Sequence, residues 1–328
     1  MTRRELVLLF LAISIGAMTQ AEAQTASPPL PRVVVISQGD EVGFRPLSDA
    51  FRKGMREFGQ KEDSTYRLEI LYANRDPTRM PGLTRDAVAS GPAVLVVAGL
   101  TAVRQARDAT RVIPVVVATS GDLVDAGFAG SYARPGGNIT GLNDLADELA
   151  AKRLELLKQM LPKASRVVLL VNPEFPATPK IERRVRAAAS TLGVEVSRVD
   201  AKDPASLVMA LDSLKNSRPD AVLIGTDALF VVRAQELIDR TQAMRIPLVH
   251  SWPGTAEMGA LFSHQADIFY NFQRAAYYVD RILKGAKPGD LAIEQPTRYE
   301  LVLNKKVAKV FNLTIPPSIL VRADRVIE

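Results

Sequence analysis

Three strand-like segments of this 328-residue chain recur in order at a nearly constant shift. Arg32-Val33-Val34-Val35-Ile36 returns as Arg166-Val167-Val168-Leu169-Leu170. Ala93-Val94-Leu95-Val96-Val97-Ala98-Gly99 returns as Ala221-Val222-Leu223-Ile224-Gly225. Ile113-Pro114-Val115-Val116-Val117 returns as Ile246-Pro247-Leu248-Val249. The offsets are 134, 128 and 133 residues. A chain that repeats its strands this way is constrained to fold as two similar halves. In each half, short apolar runs alternate with amphipathic stretches. That rhythm predicts βαβ units with right-handed crossovers, and parallel strands covered on both faces. The expected class is α/β: two similar doubly wound lobes with parallel central sheets. The cleft between two such lobes is the expected place for function.

With 47% hydrophobic and 24% charged residues the chain can bury a sizeable core. Its net charge of +6 is dispersed, without a Lys/Arg run or interleaved aromatics. This disfavours nucleic acid as a partner.

The N-terminus points to export. Arg3 and Arg4 form a positive region, Leu6 to Met18 is apolar, and Ala21-Glu22-Ala23 precedes Gln24 as a small-residue cleavage signal. The pattern predicts a secretory signal peptide over residues 1–23, cleaved after Ala23, rather than a membrane span. Residues 24–31, with three prolines, are expected as a linker. The chain has no cysteine. An exported protein without disulfides must be stable through its core alone. The same absence removes thiol catalysis, Cys-based metal sites and lipid attachment at a mature N-terminal cysteine. The periplasm of a Gram-negative cell is the expected location.

Along the chain, helices are expected at Leu47–Phe58, Asp147–Leu161, Lys180–Leu192 and Ile268–Leu283. In the first, Phe51, Met55 and Phe58 form an apolar stripe that belongs to the core. The chain is expected to cross between lobes near Asn138–Asn143, Ser263–Gln265 and Gly289–Thr297. Lobe 1 then comprises residues 32–140 and 265–290, and lobe 2 comprises 141–264 and 291–328. Several crossings restrict two lobes to hinge bending.

Catalytic constellations are weak. The two histidines, His250 and His264, lack ligand spacing, and no H-E-x-x-H, G-x-S-x-G or Walker pattern occurs. No enzyme activity, cofactor or metal is expected. Binding chemistry is better placed, because ligands of open α/β sheets sit outside the carboxyl ends of the strands. That rule selects Gln38, Gly39 and Asp40, Leu100 and Thr101, Thr119, Ser120, Gly121 and Asp122, Asn172, Thr226 and Asp227, and Ser251 and Trp252. Thr101 follows a strand and precedes a helical stretch, so its hydroxyl is expected to cap that helix. The free N–H groups of Ala102 and Val103 would then face an anionic ligand group. Asp122 and Asp227 either accept a ligand ammonium or cap the helices that follow them. Trp252 either stacks on a flat ligand or packs under the Pro253-Gly254 turn.

Several segments resemble a known family: "RPGGNITGL" at 134–142, "AKRLELLKQMLP" at 151–162, "VVLLVNP" at 167–173, "RILKGAKPGDL" at 281–291, "QPTRYELVLNKKVAK" at 295–309 and "LTIPPSIL" at 313–320. They are similar to the substrate-binding proteins of ABC transporters, in the branch with tryptophan- and tyrosine-type binding proteins. The resemblance implies a type I periplasmic binding protein fold. It also implies capture of a small molecule between the lobes, and delivery to a membrane permease with a cytoplasmic ATPase. In such families the loops matching Leu100-Thr101 and Ser120-Gly121-Asp122 face the ligand from one lobe, and Asn172, Asp227 and Trp252 match positions of the other. Gln38-Gly39-Asp40-Glu41 is polar and acidic where small residues are commoner, and Leu100 stands where glycine is usual. The expected function is solute capture for import by a monomeric protein, the solute being a small carboxylate-bearing molecule such as an amino acid or aromatic acid. The alternatives are a ligand-presenting sensor subunit, a secreted α/β enzyme and a transcriptional regulator. The predicted signal peptide and the lack of an N-terminal helix-turn-helix oppose the last.

Overall fold

The duplication is visible in the order of the strands. A computed structural model of the protein describes residues 29–252 and 254–328, without the side chains of residues 146 and 147. The leader expected at 1–23 and most of the linker lie outside the described residues. Strands β1 (Arg32–Ser37), β2 (Arg67–Tyr72), β3 (Val94–Ala98), β4 (Val115–Thr119) and β5 (Ile139–Gly141) form one parallel sheet in the order β2-β1-β3-β4-β5. The second sheet contains β6 (Arg166–Val171), β7 (Glu195–Asp200), β8 (Ala221–Ile224), β9 (Leu248–His250) and β10 (Phe262–Ala266). Read from one edge, its order is β7-β6-β8-β9-β10. The five positions correspond one to one with those of the first sheet. Two further strands, β11 (Tyr299–Asn304) and β12 (Arg325–Ile327), extend the second sheet beyond β10. β11 runs antiparallel to β10, so this edge departs from the all-parallel pattern.

The central strands are buried along their length, as their unbroken Val/Ile/Leu runs require when helices cover both faces. The covering helices are α1 (Glu41–Glu57), α2 (Met80–Ala89), α3 (Leu100–Ala109), α4 (Ala146–Met160), α5 (Thr178–Leu192), α6 (Pro204–Ser217), α7 (Ala228–Val232), α8 (Ala234–Ala243), α9 (Gly254–Met258), α10 (Ile268–Leu283), α11 (Lys305–Val310) and α12 (Pro317–Leu320). α1 begins six residues before the expected Leu47 and buries Phe44 and Leu47 together with Phe51 and Met55 of the expected stripe, while Phe58 is its C-cap and is partly buried against the same core. It packs on α10, which arrives more than 200 residues later and also covers β4. The two helices approach closely at Gly54. A Cβ there would lie 2.1 Å from the Gln273 carbonyl oxygen.

Three segments carry the chain between the sheets. The first follows β5 into α4, the second joins β10 to α10, and the third returns from α10 to β11. The first and third run side by side. Leu142 and Glu294 form an isolated parallel bridge, the Asn143 N–H donates to the Glu294 carbonyl at 2.9 Å, and the Glu294 N–H donates to the Gly141 carbonyl at 3.0 Å. Paired crossings of this kind permit bending and oppose twisting. No helix of the described residues is long and apolar enough to cross a membrane.

Candidate functional site

A cavity of about 340 Å³ opens where the carboxyl ends of both sheets meet. Eleven residues selected by the strand-end rule line it: Gln38, Gly39, Asp40, Leu100, Thr101, Thr119 and Gly121 from the first lobe, and Thr226, Asp227, Ser251 and Trp252 from the second.

The helix after β3 starts two residues earlier than expected, and this changes the role of Thr101. Gly99 is the N-cap of α3; its φ of 85° is in the left-handed region that favours glycine, and no side chain caps the helix. The Gly99 carbonyl accepts the Val103 N–H at 3.0 Å. Thr101 is therefore the second helical residue, not the cap, and its side chain is exposed toward the cavity. The first-turn N–H groups without an intrahelical acceptor are those of Leu100, Thr101 and Ala102; that of Val103 is already bonded. Leu100 is buried against the next loop. A Cβ at Gly121 would stand 3.0 Å from its Cδ1, so glycine at 121 makes room for leucine at 100.

Ser120, Asp122 and Asn172 are not among the lining residues. Ser120 is fully buried, and its carbonyl accepts the Asp144 N–H at 2.6 Å. Asp122 is held in its own loop. Its Oδ1 accepts the N–H groups of Val124 (3.0 Å) and Asp125 (3.1 Å), and its Oδ2 accepts the Tyr132 hydroxyl at 2.5 Å. Burial and that carboxylate push the Tyr132 hydroxyl up to about 12. Lys180 of α5 lies 3.8 Å from Asp122 Oδ2 and pairs with Asp125, linking the second lobe to this loop outside the cavity. Asp122 caps no helix, since a turn and not a helix follows it, and its carboxylate holds that turn instead. Asn172 turns its Oδ1 to the Glu174 N–H at 2.9 Å, and its side chain lies near enough to Asp227 to favour that carboxylate.

Asp227 caps the helix that follows it and also lines the cavity. Its Oδ1 caps α7 through the Leu229 N–H at 2.8 Å, and its carboxyl lines the cavity while only 8% exposed. Burial raises its pKa above the ordinary carboxylate range. Trp252 lines the cavity and packs against the first lobe's apolar cluster, which includes Phe44 and Phe272. Those two rings meet edge to face with centroids 5.5 Å apart. The walls thus combine aromatic surface with a few convergent polar groups, the usual make-up of a small-molecule site. Among the described residues no group of three or more His, Asp or Glu could hold a metal ion.

Some lining residues escape the strand-end rule. Phe44, Val231, Gln235 and Phe272 project from helices, and Arg75 comes from the turn after β2. Phe44 lies one helical turn before the stretch expected from Leu47, so the stripe read there did not include it. For Arg75 the only signal was its place after a strand.

The model of the family described as ABC transporter substrate binding protein matches residues 33–327. The chain belongs to that family. It is 22% identical over 268 residues to the tyrosine-binding protein of Clostridioides difficile, covering 80% of this chain and 75% of that protein. The ABC domain from Streptococcus pneumonia in complex with L-Trp superposes with a TM-score of 0.83 at 23% identity, covering 91% of this chain and all of that one. A conserved domain protein from Vibrio cholerae gives 0.82 at 23% identity, covering 90% and 99%. The fold of this substrate-binding protein is the type I periplasmic binding protein fold expected from the sequence. Its function is solute binding for an ABC transporter, so it acts on the outer side of the membrane and has a permease and an ATPase as partners. The family is a solute-binding class rather than an enzymatic one.

Proposed function

We propose that this substrate-binding protein captures an amino acid with an apolar side chain in the cavity between its lobes. The observation that carries the reading is the distribution of groups on the two walls. The second lobe offers the buried Asp227 carboxyl, and the first offers the free N–H groups at the start of α3. Phe44, Phe272 and Trp252 supply apolar surface in the same cavity. Asp227 accepts the ligand ammonium in a charge-assisted bond, and the pairing offsets its burial. The positive end of α3 takes the carboxylate, with Thr101 adding its hydroxyl. A ligand held from both lobes binds the closed arrangement better than the open one, so it draws the lobes together about the crossings. In this reading the leader is removed after Ala23 and the mature protein acts as a monomer in the periplasm.

Calorimetric titration with L-amino acids, their amides and the matching acids without the amine tests the proposal. The intact amino acids should bind most tightly. Equal binding of acid and amide would remove the carboxylate contact, and equal binding without the amine would remove Asp227 from the site.

A further inference from the structure

We infer that Arg75 is a specificity-determining residue of the cavity. It selects ligands whose apolar body ends in a neutral oxygen, a hydroxyl or carbonyl, at the end away from α3. The inference rests on the amino-acid reading and extends it to the part of the ligand that reading leaves open.

Arg75 is the one Lys or Arg among the described residues that line the cavity. Its position is held by an uncommon turn. Asn74 and Arg75 are consecutive non-glycine residues in the left-handed region, with φ of 55° and 63°. Backbone bonds hold them there: the Arg75 N–H donates to the Gln38 carbonyl at 3.0 Å, and the Asn74 N–H to the Gly39 carbonyl at 3.1 Å. The turn is thus clamped to the very loop that lines the first lobe's wall. Backbone kept in so sparse a region by its surroundings is a feature of ligand clamps.

The guanidinium retains donor capacity. Its Nε lies 2.7 Å from Asp40 Oδ2, while Asp40 Oδ1 accepts the Gly43 N–H at 2.7 Å. A guanidinium has five N–H donors, and one carboxylate oxygen cannot satisfy them. Asp40 and Arg75 both line the cavity, so donor and acceptor stand together there. A hydroxyl complements the pair by accepting from Arg75 and donating to Asp40, and a carbonyl uses the first contact alone.

Charge decides between a neutral oxygen and a second carboxylate. The lining carries three acids, Asp40, Asp144 and Asp227, against Arg75; the nearby buried Arg153 offsets Asp144, which leaves one negative charge in excess. One ligand carboxylate is already assigned to α3. A second would join an excess of negative charge, whereas a neutral oxygen gains a charge-assisted bond without displacing Asp40. Spacing agrees. β1 lies between β2 and β3, so the ends that carry Arg75 and Thr101 are two strand spacings apart, about 10 Å. That leaves room for an apolar body between the two poles.

The test is calorimetry with L-phenylalanine, L-tyrosine, para-acetyl-L-phenylalanine and para-carboxy-L-phenylalanine on the wild type, Arg75→Met and Arg75→Lys. Melting temperatures serve as the fold control. The wild type should bind the hydroxyl and acetyl compounds about tenfold or more tighter than L-phenylalanine, the scale of a bond to a charged group. The carboxy compound should bind no tighter than L-phenylalanine. In Arg75→Met the preference should shrink to within roughly twofold, and Arg75→Lys, with the charge but not the fork, should keep part of it. Equal binding of all four by the wild type overturns the inference and leaves the amino-acid reading standing. A preference that persists in Arg75→Met at an unchanged melting temperature also overturns it. If none of the four binds the wild type, the amino-acid reading fails and the inference fails with it.

Discussion

The Nδ1 of His250 accepts the backbone N–H of Trp252 at 3.0 Å. Its Nε2 then carries the proton and faces the Phe230 carbonyl at 3.4 Å. A neutral imidazole at the end of β9 therefore holds the segment that carries the cavity's tryptophan. Full burial, with the charge of Arg153 nearby, pushes the His250 pKa down to about 3. Burial, aided by Arg153, also pushes His264 down to about 4.

These depressed values set the acid response. In the unfolded chain each histidine takes a proton near pH 6.5. In the folded protein neither does until about pH 4 or about pH 3. The neutral form's contribution is present above pH 6.5 and is lost as pH falls toward those values. Lowering the pH from 7 to 5 should cost up to about 2 kcal/mol per histidine. Urea unfolding at the two pH values measures this, and His250→Leu should flatten the slope by one histidine's share. A stability independent of pH over that range would refute the assignment.

Asp227→Asn should separate stability from binding. Asparagine keeps an oxygen for the Leu229 N–H and removes a buried carboxylate whose ionisation burial opposes. The melting temperature should hold or rise, while affinity for an amino acid falls about tenfold or more. Scanning calorimetry and titration read the two effects. A less stable variant with unchanged affinity would make Asp227 a cap and nothing else.

Thr101→Ala should leave stability within about 0.5 kcal/mol, because Gly99 and not Thr101 is the N-cap of α3. Affinity should fall by roughly two- to tenfold, the range of one net hydrogen bond. Titration with an amino acid and its amide checks the contact; a silent variant would show that Thr101 makes no bond to the ligand.

Gly54→Ala tests the α1–α10 contact, where helix propensity and packing predict opposite signs. Propensity alone favours alanine by about 1 kcal/mol. The added Cβ would lie 2.1 Å from the Gln273 carbonyl oxygen and 2.8 Å from the Ala276 Cβ, and the first of these is backbone. Packing should win, with a net loss of about 1–3 kcal/mol. Thermal unfolding decides, and a variant as stable as the wild type would show that the helices can separate freely.

The sequence made the fold legible because the repeated apolar runs mark buried parallel strands, which tolerate little else. The long helix at Ile268–Leu283 is found at the expected residues, and the one expected at Lys180–Leu192 begins two residues earlier, at Thr178. The reversed direction of β11 was not legible, since hydrophobic patterning carries no strand polarity. β12, at the chain's end, was too short to signal itself. In the site, the strand-end rule located loops but not the aim of side chains. It selected Asp122, whose carboxylate turns back to its own loop, and passed over Arg75, whose turn adopts left-handed geometry without the glycine that usually marks it.

The packing of α10 on α1 and β4 has a kinetic consequence. The first lobe's core is completed by a helix that follows the whole of β6–β10 in the chain. Until Ile268–Leu283 is available, Phe44, Phe51 and Met55 lack the surface that buries them. The lobe begun first therefore cannot be finished first. Contacts so distant along the chain slow folding, because a long loop must close before they form. A chain halted before Ile268 would expose the apolar stripe of α1 and be prone to self-association.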